Sequence, residues 1–130
     1  MYRCIALFTA LVTLSTSLAW AQGRPTRQFP KEALRGEIHF ISPPRVELNG
    51  TPMRLTPGAR LRGENNMFVL TGALTGQRLT VHYTLEDTSG GIKDVWVLRE
   101  EERAKTPWPT TPEQTRSWRF SPGSQTWTRP

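Results

Sequence analysis

The sequence predicts an all-β protein: a small five- or six-stranded antiparallel barrel or sandwich, preceded by a signal peptide and followed by a Pro/Trp-rich irregular tail. Three observations carry this reading. Between positions 34 and 98, short runs alternate apolar and polar residues. Gly, Pro and Asn interrupt them roughly every 8–12 residues, the rhythm of short strands joined by turns. No long segment shows a 3.6-residue apolar period with helix caps. A chain of 130 residues has room for one small domain and excludes a (β/α)8 barrel, which needs about 250.

Residues 1–21 read MYRCIALFTALVTLSTSLAWA. Arg3 gives a positive start, Ile5 to Leu14 an apolar core, and Ala19-Trp20-Ala21 small residues at −3 and −1 of a cut before Gln22. This is the pattern of a secretory signal peptide. The competing reading, an uncleaved anchor, is weakened by hydroxyl residues in a stretch near the lower length limit for a spanning helix. Cys4 is the only cysteine and leaves with the signal. The rest then has no disulfide, no Cys nucleophile and no Cys-based metal site. A small exported domain held together by packing alone favours a bacterial periplasm.

Residues 22–33, QGRPTRQFPKEA, carry two prolines and no apolar period, and read as a flexible lead. The domain proper is expected over 34–102. Gly36 to Ile41 places Ile38 and Phe40 on one face. Pro43-Pro44 ends that strand, since proline cannot donate to a ladder. Arg45 to Leu48 and Thr51 to Leu55 flank Asn49-Gly50, the strongest short hairpin signal, because a type I′ turn needs positive φ at both central residues. Pro57-Gly58 reads as another turn, and Met67 to Leu70 as a short strand. Arg78 to Glu86 alternates most cleanly, with Leu79, Val81, Tyr83 and Leu85 inward. Ser89-Gly90-Gly91 turns the chain into Ile92 to Leu98, where the period does not choose between the Val95/Val97 face and the Ile92/Trp96/Leu98 face. Residues 99–105 suit a short helical turn. Residues 103–130 hold Pro107, Pro109, Pro112, Pro122 and Pro130 among Trp108, Trp118, Phe120 and Trp127. That proline density predicts irregular structure, although disordered segments are usually poor in aromatics.

The stretches RGEIHFISPPRVELNG, LTPGARLRGENNM and LTGALTGQRLTVHYTLED resemble short exported proteins of proteobacteria without an established activity. Their layout is similar to small OB-like barrels. The resemblance covers about half of the chain. It implies a fold and a compartment and carries over no catalytic residue.

Enzyme devices are missing from the pattern. There is no Gly-x-Ser-x-Gly elbow and no phosphate-binding glycine loop. His39 and His82 could form a zinc site with Glu37 or Glu86 if their strands were neighbours; two solvated surface histidines are the simpler reading. Glu86-Asp87 and Glu100 to Glu102 are adjacent in sequence, and neighbours do not bracket a sugar bond as glycosidase carboxylates do. No enzyme, cofactor or metal is therefore expected. Asn49-Gly50-Thr51 matches a glycosylation sequon but is better read as the turn.

Lys and Arg total 17 against 11 Asp and Glu, and Arg dominates. Arg prefers phosphate and carboxylate partners. Arg54, Arg60, Arg62 and Arg78 cluster in the barrel segment, and Trp118 is the tail's candidate contact residue. These five are the expected binding residues. Export argues against nucleic acid as the partner. The expected role is a non-enzymatic periplasmic or secreted envelope protein that acts by binding or as an accessory to a larger assembly. The alternative is a module that recognises an anionic envelope polymer or ligand through its arginines.

Overall fold

The computed structural model describes residues 25–130; the expected signal peptide lies outside the described residues. Five strands close into a barrel in the order β1-β2-β3-β5-β4: β1 Leu34–Ser42, β2 Arg45–Leu48, β3 Thr51–Arg62, β4 Arg78–Leu85 and β5 Ile92–Val97. Closure leaves these strands without a free edge. The Asn49-Gly50 hairpin forms as expected, with φ of 52° and 82°. It sets the register Leu48↔Thr51, Val46↔Met53 and Arg45↔Arg54.

The inward faces follow the two-residue period. Ile38, Phe40, Val46, Leu48, Val81 and Tyr83 are buried in one cluster, with Leu79 and Leu85 packed against it. Leu34, Leu55, Leu61, Leu74, Ile92 and Val95 complete this core.

Three expectations are corrected. First, the barrel is not wholly antiparallel, because β3 and β5 pair in parallel. Second, Pro57-Gly58 is no turn between strands. It lies inside β3, where the β3–β5 register shifts between Leu55 and Arg60. Up to Arg54 the strand pairs with β2, and from Leu55 with β5. An irregularity that bends a strand lets it serve two partners, and proline and glycine suit such a position. Third, Met67 to Leu70 is a loop that touches β3 through one bridge, Arg62↔Phe68.

The flanking segments also differ from expectation. Helix α1 (Glu100–Arg103) is the expected short turn, and short regular elements follow it within the proline-rich segment. These are α2 (Pro112–Ser117) and a hairpin of β6 (Arg119–Ser121) with β7 (Thr126–Thr128). The prolines start structure here: Pro112 is the first residue of α2, where its missing N–H costs nothing, after the Thr111 cap. Residues 25–33, read as a flexible lead, run against the tail. The Phe29 N–H donates to Gln125 Oε1 at 2.9 Å, and Trp108 Nε1 donates to Ala33 O at 3.0 Å. Together they form a second apolar cluster of Phe29, Ala33, Trp96, Leu98, Trp108 and Trp127. Buried residues therefore lie on both faces here, Ile92 and Val95 in the barrel and Trp96, with Leu98 just past the strand, in the second cluster. That is why the period of β5 pointed both ways.

Candidate functional site

The outer face of β2 and the start of β3 follows from the inner one. With Val46, Leu48 and Met53 turned inward, Arg45, Glu47, Pro52 and Arg54 face out. The two-residue turn brings Arg45 and Arg54 directly opposite each other. Like charges in that position destabilise a sheet. Neither guanidinium forms an ion pair or hydrogen bond among the described residues.

These arginines line an open groove of about 660 Å3 with Ile41, Glu47, Met53 and Gly91. Its far wall is the β4–β5 turn. Gly91 is held tight there: a Cβ on it would lie 2.9 Å from Thr56 Cγ2 and 3.3 Å from the Arg54 carbonyl oxygen. Only a residue without a side chain lets this turn close onto β3. Ile41 is 46% exposed because the β1–β2 register shifts between Phe40 and Ser42. The groove thus joins two cations, one carboxylate and an apolar floor.

The other expected binding residues do not gather there. Arg60 lies 3.4 Å from the Asp94 carboxylate, and Arg62 stands 5.0 Å over the Phe68 ring. Both sit at the far end of β3. Arg78 begins β4 and is 3.9 Å from Glu37. Trp118 lies in the tail beneath Arg129, whose guanidinium is 5.3 Å from the indole. Of the five, Arg54 alone lines the groove. Its partner Arg45 was missed, although counting back from the Asn49-Gly50 turn pairs 45 with 54.

The histidines do not meet. His39 pairs with Arg78 across β1 and β4, whereas His82 pairs with Arg35. His82 therefore lies four positions further along β4, roughly 13 Å at 3.3 Å per residue. Among the described residues, no group of three His, Cys, Asp or Glu is placed to hold a metal ion.

His82 is not solvated. It is 1% exposed, stacked on Trp108 and edge-on to Phe29 at 4.4 Å. Arg35 approaches its Nε2 at 3.2 to 3.3 Å. Burial, then the charges of Arg35 and Arg27, push its pKa down to about 2. The ring is neutral, and Nε2 is the acceptor facing the guanidinium. Nearby, Arg27 is paired with Glu102. Burial works to raise the Glu102 pKa. The hydrogen bonds from Arg27 and the Arg99 backbone, together with both positive charges, outweigh it and hold the carboxylate below its ordinary range. This network fastens the N-terminal segment and α1 to the barrel, and its polar groups face inward.

No known protein family, curated protein or solved structure matches the chain. The groove's own geometry therefore carries the functional argument.

Proposed function

We propose that this is an exported, non-enzymatic binding protein of the bacterial envelope, built on an OB-like barrel, whose β2–β3 groove takes an anionic polymer. The observation that carries the reading is the Arg45–Arg54 pair. The fold holds two like charges side by side, neither in an ion pair among the described residues, and a phosphate or carboxylate between them would remove the repulsion. Arg guanidinium groups bind such groups through paired hydrogen bonds.

The strand order supports the fold assignment. A five-stranded barrel of this class binds oligonucleotides and oligosaccharides on its second and third strands and the flanking loops. The groove occupies that place. Export separates the protein from cellular nucleic acid, so a phosphorylated or carboxylated envelope saccharide is the better partner.

The test is calorimetric titration with phosphorylated lipopolysaccharide core oligosaccharide, with dextran as the neutral control. Binding should weaken as salt rises from 50 to 200 mM, as it does where guanidinium–phosphate contacts carry the affinity. The double variant Arg45→Gln/Arg54→Gln should lose binding and keep its fold. Equal affinity of variant and parent would reject the groove.

A further inference from the structure

Four large apolar side chains are strongly exposed among the described residues, and three share one loop. Met67 and Phe68 are each 66% exposed and Leu70 is 83% exposed; the fourth, Ile41, belongs to the groove. Single exposed apolar residues are ordinary, but a contiguous set marks a surface that is covered in use.

The loop is not loose. Gly63 N–H donates to Met67 O and Val69 N–H to Leu61 O, both at 2.9 Å, and Asn65 Oδ1 accepts from Met67 N–H at 3.1 Å. Asn66 turns the chain with φ of 64°. These bonds hold the backbone so that Met67, Phe68 and Leu70 stay in water.

Cations stand behind this apolar tip. Arg62 lies over the Phe68 ring, and Arg60, on the same outward face of β3, is 3.4 Å from the Asp94 carboxylate. Glu64, the acidic residue of the loop, is 3.7 Å from Arg103. An apolar tip backed by arginines is the arrangement that seats a protein in an anionic lipid interface.

We propose that the 63–70 loop is a membrane-docking element, inserting Met67, Phe68 and Leu70 into the interface of an anionic phospholipid bilayer while Arg62 meets the headgroup phosphates. It is independent of the groove, since Arg54 and Arg62 lie toward opposite ends of β3.

Vesicle co-sedimentation tests this, using protein purified from cells expressing the full chain. Vesicles of mixed phosphatidylcholine and phosphatidylglycerol should bind the protein, and pure phosphatidylcholine should bind it much less. Phe68→Ser/Leu70→Ser should weaken binding to the anionic vesicles more than tenfold without lowering the melting temperature. Arg62→Gln should weaken it about fivefold, the worth of one basic residue near such a surface. Phe68→Trp should retain it, because Trp suits the interface. Arg45→Gln/Arg54→Gln should leave it unchanged, so failure of the groove reading and failure of this one are distinguishable. Absence of vesicle binding would overturn the proposal, as would equal binding by the Ser variant. Sedimentation velocity showing self-association that the same Ser substitutions abolish, without vesicle binding, would assign the loop to a second copy of the chain and overturn it too.

Discussion

The imidazole of His82 lies on the indole of Trp108, ring centroids 4.0 Å apart and planes 22° from parallel. One ring comes from a barrel strand and the other from the proline-rich tail. Their contact makes the tail part of the fold. Across the sheet, Arg35, His82 and Trp96 form a row on β1, β4 and β5, and Trp108 seals it.

Removing that seal should be costly. Trp108→Ala is expected to lower stability by about 3–5 kcal/mol, as for other large buried aromatics. Trp118→Ala should cost far less, because that indole is half-exposed. Urea denaturation of both variants checks the ranking. Equal losses would mean that Trp108 does not carry the contact.

Acid should weaken the protein through His82. Its pKa falls from 6.5 to about 2 on folding, so between those values the unfolded chain holds the extra proton. Stability is then fully present above pH 6.5 and declines as the pH drops, by about 1.4 kcal/mol per unit. Glu102, whose folded value is depressed from 4.5, acts in the same direction only at lower pH. Melting curves between pH 6.5 and 5 therefore isolate the histidine. His82→Gln should flatten the slope there, and an unchanged slope would place the titration elsewhere.

The Arg27–Glu102 pair has side chains only 4% and 8% exposed. Arg27→Met alone should cost about 3–5 kcal/mol, since it strands a buried carboxylate. Adding Glu102→Leu should recover part of that loss, because two apolar groups leave no charge without its partner. A double-mutant cycle measures the recovery. Purely additive losses would argue against the pairing.

Deleting residues 103–130 should not leave a stable barrel. The truncation uncovers His82, Trp96 and Leu98 at once. Near-ultraviolet circular dichroism should show loss of fixed tertiary packing, or the fragment should be insoluble. A truncated domain with the parent's melting temperature would refute the second core.

The Asn49-Gly50 turn gives a local control. Gly50 has φ of 82°, where a Cβ costs on the order of 1 kcal/mol. Gly50→Val should therefore lower the melting temperature more than Thr51→Val, which sits in a strand. The reverse order would contradict the turn.

What the sequence determined alone was local. Alternation at Ile38 and Phe40, and from Leu79 to Leu85, marks the inward faces of β1 and β4, because a strand's side chains repeat every two residues. Asn49-Gly50 sets the β2–β3 register, because few residues tolerate positive φ. The Arg45–Arg54 pairing was implicit in that turn. Tertiary structure decided whatever depends on a distant partner. Pro57-Gly58 became an irregularity inside β3 because the strand passes from β2 to β5. Met67 to Leu70 found a single bridge and stayed a loop. His82 had the spacing of a surface residue, yet its outward face is covered by residues 25–33 and by a tail whose prolines predicted irregular structure. Periodicity reports which side chains share a face. It carries no information about what lies against that face, since the covering atoms come from chain remote in sequence.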